Sequence, residues 1–127
     1  MQLGYTILYV DDVPAALAFY EAAFGVGTRF LHESQAYGEL ETGATALAFA
    51  AHELLRGMGK TTSPPTAGAP CFEIAFTTED VDAAVARATA AGATLVQPAT
   101  VMPWGQTIAY VDDRHGFRVE LCTPMAA

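Results

Sequence analysis

Two glutamates interrupt runs that are otherwise apolar. Glu73 sits in FEIAF and Glu120 in RVELC, each among β-branched and aromatic residues. A carboxylate in such a run is seldom buried without a partner or a purpose, because removing its charge from water is costly. Two carboxylates brought close together raise each other's affinity for a proton. Such a pair can act as general base and acid on a carbon acid, or bind a ligand that is cationic or donates hydrogen bonds. Oxygen donors of this kind hold Mg or Mn weakly, with waters, and make a poor Zn site. No CxxC or HExxH pair occurs, so Glu73 and Glu120 are at most weak metal candidates, and no other metal residues are assigned.

The other groups with chemical potential are fewer. Trp104, in VMPWGQT, is the one tryptophan. His115 lies in the turn sequence DDRHG and is expected in solvent. His32 falls within a strand, and His52 lies at or just beyond the end of another. Cys71 and Cys122 read as two reduced thiols, neither next to a base that would mark it as a nucleophile.

An internal echo says which elements carry these residues. A shift of 68 positions brings Tyr5 onto Glu73, Asp12-Val13 onto Asp80-Val81, and Ala15-Ala16 onto Ala83-Ala84. Each copy opens with a strand-type run, 5–10 or 72–77, followed by an acidic pair and an alanine-rich segment that closes on Gly25 or Gly92. Asp12 and Asp80 stand at helix N-caps, Pro14 falls in a first turn, and the two glycines are placed to end the helices. The acidic pairs are therefore read as caps rather than as catalytic groups. Strand-like pieces follow at 28–33, 36–41 and 45–51, and again at 94–97, 106–111 and 117–123. Both halves read β-α-β-β-β. Between them the segment 57–70, GMGKTTSPPTAGAP, has linker composition.

Composition narrows the function. The chain has 127 residues and a net charge of −8, and its few basic residues are scattered, which argues against nucleic acid as a partner. No apolar run is long enough for a membrane span and no secretory signal is visible, so a cytoplasmic protein is expected, with no membrane partner.

The opening YVDDVPAALAFYEAAFG and the close WGQTIAYVDDRHGFRVELCTP, with its Asp113, Gly116, Glu120 and Leu121, resemble the vicinal oxygen chelate superfamily. That is the fold of glyoxalases, bleomycin resistance proteins and extradiol dioxygenases. The resemblance implies an α+β fold of two βαβββ modules in one chain, with curved mixed sheets forming a cavity. One domain over 1–127 is expected, with module one at 1–56, a linker at 57–70 and module two at 71–127. The family's four metal positions fall on Tyr5, Ala48, Glu73 and Glu120. Alanine has no donor atom and a neutral phenol is a poor one, so the metal site reads as degenerate.

Strand alternation from the family's positions gives the expected ligand pocket, Tyr5, Ile7, Tyr9, Ala48, Ala50, Glu73 and Glu120, with an aromatic wall and an acidic wall. The resemblance implies that the loop carrying Trp104 overhangs it. The family's parallel pairing puts Glu73 beside Glu120. Were they level, Cys71 and Cys122 would stand roughly 13 Å apart, too far for a disulfide. Glu120 has alternative partners in Arg118 or Arg29.

Two functions stay open. One is a small-molecule-binding protein of the glyoxalase and bleomycin-resistance type, and this is favoured. The other is a glyoxalase- or epimerase-like lyase or isomerase, with Glu73 and Glu120 as the catalytic pair and a weakly held divalent metal. A subunit that only dimerises is a third. No cofactor is expected beyond such a metal, and a homodimer is implied by the resemblance.

Overall fold

The computed structural model describes residues 1–125. The chain divides into two compact units, Met1–Pro64 and Pro65–Ala127, parted within the proline-rich segment.

In the first unit the order is β1 (Tyr5–Val10), α1 (Val13–Phe24), β2 (Thr28–Leu31), β3 (Tyr37–Leu40), β4 (Ala46–Ala51) and α2 (His52–Gly57). The strands form one sheet in the order β1-β4-β3-β2. β1 runs parallel to β4, and the other neighbours are antiparallel. Helix α1 starts where Asp12 accepts from the Ala15 amide at 3.0 Å, with Pro14 in its first turn. It stops at Gly25, which takes φ 71° and returns its N–H to Glu21. The helix packs on β2, β3 and β4. Leu8, Val10, Leu17, Tyr20 and Phe49 are buried, and the Tyr20 and Phe49 rings meet at 5.1 Å. Gly38 allows this contact. A Cβ there would stand 2.7 Å from Leu17 Cδ1 and 3.2 Å from the Phe30 carbonyl. Since side chains alternate along a strand, covering Leu8 and Val10 leaves Tyr5, Ile7 and Tyr9 on the open face.

The second unit repeats the plan with β5 (Glu73–Thr77), α3 (Val81–Ala90), β6 (Thr94–Val101), β7 (Thr107–Asp112) and β8 (Arg118–Cys122). The sheet order is β5-β8-β7-β6, again with the first pair parallel. Asp80 caps α3 by accepting from the Ala83 amide at 3.0 Å. Both units thus have the βαβββ plan read from the sequence, in an α+β architecture of two four-stranded mixed sheets.

Four details differ from expectation. Helix α2 was not anticipated: it has six residues and its cap residue, Ala51, offers no side-chain acceptor. Such a turn has neither the periodicity nor the capping signature that reveals a helix. Strand β6 continues through Pro98 to Val101 rather than stopping at 97, because an edge strand has no neighbour on one side to miss a proline N–H. Helix α3 ends on Ala91 in a right-handed conformation, and Gly92 takes its positive φ one residue later. Finally, His115 is half-buried rather than exposed. Buried Asp113 accepts from the amides of His115 and Phe117, both at 2.8 Å, which draws the turn inward.

Candidate functional site

The open face of the second unit is built in rows across β5, β8 and β7. Glu73 pairs with Arg118, which pairs with Asp112. One row on, Ala75 pairs with Glu120, which pairs with Tyr110, and Thr77, Cys122 and Ile108 follow. Parallel strands therefore bring Glu73 and Glu120 to the same face, but one row apart and not level. On that register Cys71 lies six residues from the level of Cys122, roughly 20 Å, and both thiols are free.

Each polar group in this face has an identifiable neighbour. Tyr110 Oη donates to Glu120 Oε1 at 3.1 Å. Arg118 Nε donates to Asp112 Oδ1 at 2.6 Å, so neither arginine expected as a partner pairs with Glu120. Arg29 instead binds Glu41 in the first unit. The Glu73 carboxyl is held above the usual carboxylate range, first by lost hydration, then by the charge of Glu120 and a hydrogen bond shared with it; Arg118 opposes the shift. Lost hydration and the bond to Glu120 also push the Tyr110 phenol upward. Burial and the same glutamate raise the Cys122 thiol to about 11. A carboxyl of raised proton affinity beside a second carboxyl and a phenol can hold a hydrogen-bond donor or move a proton.

Trp104 stands at the tip of the β6–β7 hairpin, 59% exposed for the residue as a whole. Its indole N–H donates to Gln106 Oε1 at 2.8 Å, and Gln106 in turn donates to the Thr123 carbonyl.

The open face of the first unit is of another kind. Tyr5 pairs with Ala46, Ile7 with Ala48 and Tyr9 with Ala50. The alanines are buried, and Tyr5, Ile7 and Tyr9 are exposed. β3 adds Glu39 opposite Ala48 and Tyr37 opposite Ala50. Tyr37 Oη donates to Glu39 Oε2 at 2.8 Å, and lost hydration plus that bond push the Tyr37 phenol to about 12. His52 opens α2 and is buried, with Nδ1 2.6 Å from Thr62 Oγ1 and its ring 6.2 Å from that of Tyr9. Exposed His32 bonds Ser34. A separate hollow of about 510 Å³ lies beside α2, lined by Ser34, Glu53, Leu54 and Met58 among others; it contains none of the residues singled out in the sequence.

This arrangement has a known counterpart. The sequence pattern of the Glyoxalase/Bleomycin resistance protein/Dioxygenase superfamily matches residues 2–121. The chain belongs to that superfamily. Among solved structures, this superfamily member is similar to a glyoxalase/bleomycin resistance protein/dioxygenase family enzyme from Burkholderia phytofirmans PsJN. The identity is 26% and the TM-score 0.79, over 97% of this chain and 98% of that one. A glyoxalase-related enzyme from Fulvimarina pelagi has 23% identity and a TM-score of 0.82, over 98% and 88% of the two chains. TioX from Micromonospora sp. ML1 has 24% identity and a TM-score of 0.73, over 97% and 98%. These last two share the fold. No curated protein matches the chain.

The superfamily often carries a divalent metal, and two of the four corresponding positions in this member lack a good donor. Ala48 has a methyl where a ligand would be needed. Tyr5 offers only a phenol, so Glu73 and Glu120 are the carboxylates that remain. Among the described residues no group of three or more His, Cys, Asp or Glu is gathered for a metal.

Sequence reasoning missed Glu39, Tyr37, Tyr110 and the Arg118–Asp112 pair. For Glu39 and Tyr37 a signal existed. Both alternate with Gly38 and Leu40, which marks them as sharing the face opposite the helix.

Proposed function

We propose that this superfamily member is a small-molecule-binding protein whose metal positions have degenerated, with a ligand held by side chains of an open sheet face. The observation that carries the reading is the row of exposed Tyr5, Ile7 and Tyr9 beside a buried alanine floor. Large apolar side chains left bare next to methyl groups make a recess that favours flat, apolar matter. The test is titration of the whole protein with a panel of aromatic ligands in EDTA, read by Trp104 fluorescence and by calorimetry. Saturable binding without metal is expected; silence in both readouts across the panel removes the proposal.

The second reading, a glyoxalase- or epimerase-like enzyme, draws on the raised carboxyl of Glu73 beside Glu120. The Burkholderia phytofirmans neighbour is named an enzyme, which accords with it. On this reading Glu120→Gln abolishes a turnover that divalent metal enhances, and absence of metal binding by calorimetry removes the metal-dependent version. The fuller proposal is a cytoplasmic homodimer, in keeping with two free thiols and with the habits of the superfamily.

A further inference from the structure

The two open faces, compared row by row, differ in where they keep a carboxylate. In the second unit Glu120 on β8 accepts from its row partner Tyr110 on β7. The corresponding row of the first unit runs Ile7, Ala48, Glu39. Ala48 stands where Glu120 stands, and Glu39 takes the place of Tyr110. The carboxylate has moved one strand over, from the β4 position to β3 beside Ala48, and takes its hydrogen bond from Tyr37 in the adjoining row.

The charge of Glu39 is only partly offset locally, by a long ion pair with Arg29. Arg29 Nη1 is 4.0 Å from Glu39 Oε1, beyond hydrogen-bond reach. That guanidinium is committed elsewhere: Nε and Nη2 donate to the two oxygens of Glu41 at 2.8 and 2.7 Å, and Nη2 also to the Gly43 carbonyl at 2.8 Å. One guanidinium faces two carboxylates and binds Glu41 more closely, so the three together carry one surplus negative charge beside Glu39. The acceptor is flanked by rings. Tyr9 and Tyr37 occupy the row on one side, Tyr5 the row on the other, and exposed Phe30 pairs with Glu39 from β2. Side chains of β1 and β3 rise about 10 Å apart across the alanine strand between them, room for one flat ring.

We infer that Glu39, positioned by Tyr37, is the anchoring carboxylate of the first unit's face, and that this face takes a flat aromatic ligand bearing a cationic nitrogen. The ring lies over Ala48 and Ala50 between tyrosine faces, which attract cations, while the charged N–H donates to Glu39 Oε1. The inference rests on the ligand-binding reading above and adds to it a ligand class and a residue.

Calorimetry on the full chain with two tricyclic probes of similar shape, cationic proflavine and neutral acridone, tests it. Proflavine is expected to bind more tightly than acridone. Glu39→Gln should weaken proflavine by about tenfold or more and acridone by less than about threefold. Glu39→Asp, which keeps the charge, should restore most of the proflavine affinity, and circular dichroism checks that both variants fold. Equal loss of both probes in Glu39→Gln, or no rescue by aspartate, overturns the anchor while leaving ligand binding intact. If neither probe binds the unaltered protein the inference also fails. Ligand binding in general falls only if the broader panel is silent as well.

Discussion

The pairing of Glu73 with Glu120 makes a prediction in pH. A carboxyl whose folded pKa is raised takes up its proton more readily in the folded chain. Its contribution to stability is therefore fully present below the ordinary carboxylate range, about 4.3, and is lost as pH rises through the folded value. Glu73→Gln removes that loss. Urea denaturation should show the variant more stable than the parent at pH 7 and equal to it near pH 4. Because Glu73 is exposed and solvent screens the pair, the gain stays within about 1 kcal/mol. A variant less stable at pH 7 would mean that Glu73 makes a favourable contact in its charged form. The thiols give a second prediction. Cys71 is exposed, whereas Cys122 is buried and raised to about 11. A thiol-directed reagent at pH 8 should modify Cys71 alone in the folded protein, with Cys122 reacting only in denaturant; mass spectrometry of the digested product decides.

At the scale of elements, what was legible in the sequence is what is fixed locally. Asp12 and Asp80 betray helix starts because each satisfies an amide three residues on, and the β1 alternation betrays an open face because only Leu8 and Val10 are buried. The glutamates were recognisable as members of one face. Their offset was not, because register is set by pairing across more than forty residues and leaves no mark in either strand. Glu39 escaped for a related reason: its importance comes from standing beside Ala48, a relation visible only once β3 lies on β4. Gly38, its neighbour, carries the prediction for this scale. Gly38→Ala drives a methyl against Leu17 and the Phe30 carbonyl, where the backbone on one side cannot yield. A loss of about 1–3 kcal/mol is expected in thermal or urea unfolding, at least as large as the ~1 kcal/mol for Asp12→Ala. A neutral Gly38→Ala would show that α1 rides further from the sheet than its contacts indicate.

Over the whole molecule, the unusual feature is how much apolar surface the outer strands leave bare. On β6 Leu95, Val96 and Val101 are all exposed. Every residue of β2 is exposed too. Monomeric proteins seldom leave this many large apolar side chains bare on two edge strands. Pro98 and two irregularities of register blunt β6 against pairing its backbone with another strand, so a second copy would cover its side chains rather than lengthen its ladder. The expected outcome is a homodimer, with a molar mass by light scattering of twice the 13.4 kDa of one chain. Val96→Glu combined with Val101→Glu alters two exposed positions, so folding should survive while the mass falls to that of a single chain. A parent protein that is monomeric at all concentrations tested would end the dimer proposal. A doubly substituted protein that still dimerises would instead move the interface to another bare strand, β2 first, where Phe30 and Leu31 are the next residues to replace.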